Sequence, residues 1–100
     1  MKSIIKGKKY DTETAKWLAV YQNGYAQDLH YVKEELYVKK TGEYFLAGEG
    51  GECSKYAENC NLNGKSPGSR IIPLTEYKAR DWIENYANEQ YEEIFGEVEE

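Results

Sequence analysis

The sequence predicts an α+β domain: an antiparallel sheet of three or four strands with a C-terminal amphipathic helix packed on one face. Three observations predict it. Apolar residues at 79, 82, 83, 86, 87, 91, 94 and 95 recur at helical spacing. The stretch HYVKEELYVKKTGEYFLAGEG alternates about a Thr41-Gly42 turn, as a hairpin does. The run WLAVY is aromatic and β-branched and meets Asn23-Gly24, a strong turn signal.

Taken in order, KSIIKGKKY over 2–10 reads as a first strand ending in a basic, exposed stretch. Asp11 or Thr12 is placed to cap a helix over 13–21, but WLAVY favours a strand over about 16–22. GYAQDLH is a connection. A two-residue loop at Thr41-Gly42 pairs Val38 with Phe45, Tyr37 with Leu46 and Leu36 with Ala47. One face then gathers Leu36, Val38, Phe45 and Ala47, and the other Tyr37, Tyr44 and Leu46. Both faces are partly apolar, so each is covered or one is a binding face. Residues 54–60 read as one or two helical turns and NLNGKSPGSR as a turn-rich loop. IIPL is extended, because the residue before Pro73 is pushed from α toward β. Thr75 is the N-cap of the last helix and Gly96 its C′ residue.

The 100 residues make one domain (1–100, with an acidic tail at about 97–100). Apolar residues are lean at 40%, but ten Tyr, two Trp and two Phe offset this, since each ring buries about 150–250 Å². No apolar run approaches the roughly 18 residues of a membrane span. MKSIIKGKKYD lacks the apolar core of a signal peptide. Two cysteines are not a secreted disulfide framework, so the expected compartment is the cytoplasm.

Charge is unevenly placed. The last twenty residues hold eight acids and no base, and the first eighty carry 13 − 10 = +3, for a net −5. That disfavours direct nucleic-acid binding, which needs a basic surface. Glu92 and Glu93 fall in the last turn of the expected helix, where the dipole favours cations, so helix stability does not account for them.

Five constellations bear on function. Gly48, Gly50, Gly51 and Ser54 follow a strand and precede the expected helix, the layout of an anion-binding loop. There is no Walker lysine-serine pair, and Glu49 and Glu52 put negative charge where an anion would sit, so a structural turn is favoured. Cys53 and Cys60, seven residues apart on a helix, are separated by about 10.5 Å, beyond the ~7 Å of a disulfide; free thiols follow. A Cys53–His30 dyad oriented by Asp28 can be drawn, but nothing in the sequence brings the groups within the ~3 Å that catalysis needs. No catalytic set, cofactor or metal site is therefore expected. Tyr37 and Tyr44 with Trp17 form a candidate recognition patch, and Glu84, Glu89, Glu92 and Glu93 a candidate phosphate-mimicking surface.

KGKKYDTETAK, the spaced NGY, EELYVKKTGEYFLAGEGGECSKYAE and IIPLTEYKARDWIE resemble a family of small proteins spread among Firmicutes genomes, phages and plasmids. Its pattern runs YDTETA, GEGG, SKYAE and IIPL before an acidic helix, and it covers most of this chain. The two cysteines are outside that pattern. The family carries no established biochemical activity. Its mobile-element setting implies a role in phage–host conflict, such as an anti-CRISPR protein. The expected function is thus a non-enzymatic acidic protein that binds a host protein, such as a CRISPR effector, without contacting nucleic acid or membrane. The alternatives are a small-ligand or anion module using Gly48–Ser54, and a scaffold that homodimerises through an uncovered sheet face.

Overall fold

The computed structural model describes residues 1–60 and 64–100. Its centre is a four-stranded antiparallel sheet of β3 (Lys16–Asn23), β4 (Val32–Val38), β5 (Tyr44–Gly50) and β8 (Gly68–Leu74), in the order β3-β4-β5-β8. Two hairpins flank it: β1 (Lys2–Ile5) with β2 (Lys8–Asp11), and β6 (Glu58–Cys60) with β7 (Gly64–Ser66). The chain ends in α1 (Glu76–Tyr86), one 3₁₀ turn (Asn88–Gln90) and α2 (Tyr91–Phe95). The predicted α+β class and the four-stranded sheet under a C-terminal helix are present.

Several elements differ from the sequence reading. The first strand is a hairpin, turned by Lys6 and Gly7 at φ 52 and 79, the left-handed pair that a tight two-residue turn requires. Residues 16–23 are a strand, as WLAVY predicts, and the alternative helix from Asp11 or Thr12 does not form. The main hairpin closes with five loop residues, 39–43, rather than two. Lys39 N–H donates to Glu43 O at 2.8 Å, Gly42 N–H to Lys39 O at 2.8 Å, and Gly42 takes φ 91. The register is therefore Val38↔Tyr44, Tyr37↔Phe45, Leu36↔Leu46 and Glu35↔Ala47. That is one residue off the expected pairing, and a one-residue slip moves side chains to the opposite face.

Leu36 and Leu46 consequently share the front face, under the helices, with Ala19, Ala79, Trp82, Ile83 and Ala87. Phe45 lies on the back face with Tyr10 and Ile71, and Tyr37, Ile5 and Ala15 pack around them. The β1–β2 hairpin thus covers part of the back face; the Tyr10 ring meets Phe45 edge-on at 5.5 Å.

No helix forms over 54–60: the stretch is a turn leading into β6. The expected loop 61–70 holds β7 and the start of β8, with 61–63 outside the described residues. IIPL forms the end of β8. Thr75 caps α1, its Oγ1 accepting from Lys78 N–H at 3.2 Å. The C-terminal helix is broken at Ala87 (φ −147, ψ 43) and α2 restarts at Tyr91. Gly96, at φ 97, ends α2 as expected. Glu92 and Glu93 therefore occupy the first turn of a second helix. There the dipole favours them, which reverses the expectation from a continuous helix.

Candidate interaction surface

The glycine-rich stretch is a packed corner. Gly48 lies opposite Glu34 in the β4–β5 register, and the Tyr56 ring rests directly on its backbone. A Cβ at Gly48 would sit 2.0 Å from Tyr56 Cζ. Ser54 fills the space over Gly50, where a Cβ would lie 2.1 Å from its Oγ. Ser54 also closes the turn: its Oγ donates to Gly51 O at 2.8 Å and accepts from Tyr56 N–H at 3.2 Å. Gly51 approaches the 24–31 connection, donating to Tyr31 O at 2.9 Å, and Cys53 N–H donates to Leu29 O at 2.8 Å. The backbone approach that a phosphate would need at Gly48 and Gly50 is thus occupied by this chain's own side chains. Cys53 and Cys60 are free and exposed; the helical spacing invoked against a bridge does not exist. Among the described residues no group of three or more His, Cys, Asp or Glu converges as a metal site would.

The corner is tied down by a carboxylate the sequence reading passed over. Glu34 is 2% exposed and lies on the front face beside Leu36. Its Oε2 accepts from Tyr56 Oη at 2.5 Å and pairs with Lys55 Nζ at 2.6 Å, and its Oε1 accepts from Trp82 Nε1 at 3.0 Å. Burial alone raises a carboxyl's pKa; hydrogen bonds from Lys55, Tyr56 and Trp82 outweigh it and hold Glu34 below its ordinary value. Tyr56 is driven the other way, by burial first, then by its hydrogen bond to Glu34 and by the Glu34 charge. Arg70 lies 5.0 Å over the same ring. The SKYAE motif is the only sequence signal of this network, and it does not say that Glu34 is its target.

The proposed recognition aromatics do not form one patch. Tyr44 faces the helices, 5.8 Å from the Phe95 ring. Tyr37 is on the back face, stacked on Phe45 at 5.3 Å. Trp17 is its register partner and is 49% exposed, its Nε1 donating to Glu35 Oε2 at 2.9 Å. The register is the reason: Tyr44 pairs with Val38 and Tyr37 with Phe45, so Tyr37 and Tyr44 lie on opposite faces of the sheet.

The acids, in contrast, do gather. Residues 76–100 carry nine acids and two bases, so 2 − 9 = −7, leaving +2 for residues 1–75. Glu84, Glu89, Glu92 and Glu93 are all exposed. The break at Ala87 folds α2 back beside α1, where the Arg80 guanidinium bonds Tyr91 Oη at 3.1 Å. The tail returns as well: Val98 N–H donates to Glu92 Oε2 at 3.0 Å. Glu84, Glu92 and Glu100 then line one shallow depression. Among the described residues no Lys or Arg lies within salt-bridge distance of Asp81, Glu84, Glu89, Glu92, Glu93, Glu97, Glu99 or Glu100; the ion pairs that form involve Glu34, Glu35, Glu43 and Glu76.

Among the described residues no helix is long and apolar enough to cross a membrane. No family model, no curated protein and no solved structure matches the chain.

Proposed function

We propose that this chain is a non-enzymatic binding protein of the kind carried by phages and mobile elements. It would act in the cytoplasm by presenting its acidic helical layer to a basic groove of a host defence or nucleic-acid-handling protein, such as a CRISPR effector. The observation that carries this reading is the layer itself: eight exposed carboxylates with no Lys or Arg at salt-bridge distance among the described residues, held on α1, the 3₁₀ turn, α2 and the tail folded against them. Unneutralised carboxylates at this density match a surface built for phosphates and speed encounter with it. The resemblance to mobile-element proteins supplies the host-defence setting. The Gly48–Ser54 ligand loop is the weaker reading, because Tyr56 and Ser54 fill the space above Gly48 and Gly50.

The test is a plaque assay in a CRISPR-immune host, paired with a pull-down of CRISPR effectors. The wild-type chain restores plaques and recovers an effector in a salt-sensitive manner, and the Glu84→Gln/Glu89→Gln/Glu92→Gln/Glu93→Gln variant does neither. A wild-type chain that gives no protection and retains no effector ends the proposal.

A further inference from the structure

One edge of the central sheet is open, and it is built differently from the other. The β8 edge carries Pro73, which interrupts its row of donors. The β3 edge is eight residues long. Apart from its ladder to β4, no backbone group of 16–23 has a backbone partner among the described residues.

A cleft of about 550 Å³ runs along this edge and touches five consecutive residues of β3, Lys16 to Val20. Trp17 and Val20 belong to the back face, while Val38, Tyr44 and Ile94 line the front side, so the cleft wraps the edge and reaches under α2. The β-bulge between Trp17 and Ala19 equips both sides of it. Trp17 pairs with Tyr37 on the back face, whereas Leu18, the extra residue, packs toward the front core with Ile94 and Tyr44. Val20, 42% exposed, adds to the back side. An extended segment laid against β3 would find backbone partners in the middle and an apolar seat for alternate side chains on either face, the requirements of strand addition. Lys16 and Glu93 both line the cleft and offset each other, so the preference comes from the −7 helical layer beside it, whose field favours a cationic segment.

We propose that the free edge of β3 takes an extended segment of the partner protein, apolar at alternate positions and bearing lysine or arginine between them, as a fifth strand. This rests on the reading above only for the partner's charge. Unblocked edges of this length are otherwise sites of uncontrolled pairing.

The experiment is an NMR titration of the isotope-labelled full chain with an acetylated peptide about as long as β3, alternating valine and lysine. Two controls replace lysine by glutamate, or place prolines at the centre. The valine–lysine peptide is expected to shift and protect amides within 16–23. Both controls, and the Val20→Lys chain with the parent peptide, are expected to bind at least about tenfold more weakly. Val20→Lys should leave the urea midpoint unchanged, because the side chain is already exposed.

Shifts confined to 76–100, with the proline peptide as effective as its parent, would overturn strand addition while leaving the acidic-face reading intact. So would absence of any shift at millimolar peptide. Dimerisation of the chain alone through β3, detected by sedimentation and abolished by Val20→Lys, would also overturn it, since the edge would then belong to a second copy. Amide shifts in β3 from a chain that fails the plaque assay would support the docking edge and remove the inhibitor reading.

Discussion

Replacing Gly48 by alanine isolates the contact that holds the corner. A Cβ there would lie 2.0 Å from Tyr56 Cζ and 2.1 Å from its Oη, far inside van der Waals contact. The backbone of β5 is fixed by ladders on both sides, so the ring is the part that must move. Tyr56 is 1% exposed and its hydroxyl sits 2.5 Å from Glu34. Displacing it forfeits a hydrogen bond to a charged group, about 1.5–3 kcal/mol, and adds an overpacking cost of about 1–3 kcal/mol. The expected loss is about 3–5 kcal/mol, a large part of the ~5–15 kcal/mol stability of such a domain. The assay is urea denaturation of the wild type, Gly48→Ala, Tyr56→Ala and the double variant. With the ring gone the alanine meets open space, so Gly48→Ala should cost less than about 1 kcal/mol in the Tyr56→Ala background, and the coupling should exceed about 2 kcal/mol. Equal costs in the two backgrounds, to within about 0.5 kcal/mol, would refute the contact as the reason glycine occupies position 48.

Three further predictions address the network and the frame. Glu34 is held below its ordinary value of 4.5 by Lys55, Tyr56 and Trp82 against the upward push of burial. Its contribution to stability is thus fully present above pH 4.5 and is lost as pH falls through the lower folded-state value. Tyr56→Phe removes one of the opposing hydrogen bonds, so acid unfolding followed by circular dichroism should begin at higher pH than in the wild type; an unchanged or lower onset contradicts the network. Gly42→Ala meets nothing within 4 Å but must adopt φ 91, so calorimetry should find a loss of only about 1 kcal/mol, well below that of Gly48→Ala. Leu36→Ala, at a fully buried position of the front core, should cost about 2–5 kcal/mol in urea, and a value under 1 kcal/mol would place Leu36 outside that core.

The elements that read correctly from sequence are those specified locally. Thr75 accepts from Lys78 N–H as an N-cap should, and the apolar stripe from Ala79 to Phe95 faces the sheet. The hairpin register was not legible, because Leu36, Tyr37, Phe45 and Leu46 are all apolar and the alternation that normally selects a register fits either pairing. The break at Ala87 leaves no trace in the stripe, since Tyr91, Ile94 and Phe95 remain at helical spacing from α1 while belonging to a helix folded back on it. The 54–60 stretch failed for a different reason. Its conformation answers to the bare backbone of Gly48 in the preceding strand and to Glu34, 22 residues before Tyr56, and no local propensity encodes that. Of the candidate site, the acidity of the chain's end was plain in composition, and its assembly into one layer was not.

The Glu34 carboxylate has a consequence for how the chain folds. Its hydrogen-bond donors Tyr56 and Trp82 lie 22 and 48 residues further along the chain, in the corner and in α1. A species with the sheet and α1 formed but the corner open would hold a desolvated anion without Lys55 and Tyr56, an arrangement that costs several kcal/mol. The reverse, with the corner closed and α1 detached, leaves the Trp82 indole and the front core uncovered. Partly assembled forms are thereby penalised at one atom group, which couples three distant segments into a single cooperative unit. Chemical denaturation should accordingly give superimposable transitions by tryptophan fluorescence and by far-ultraviolet dichroism, with no stage at which the corner opens alone.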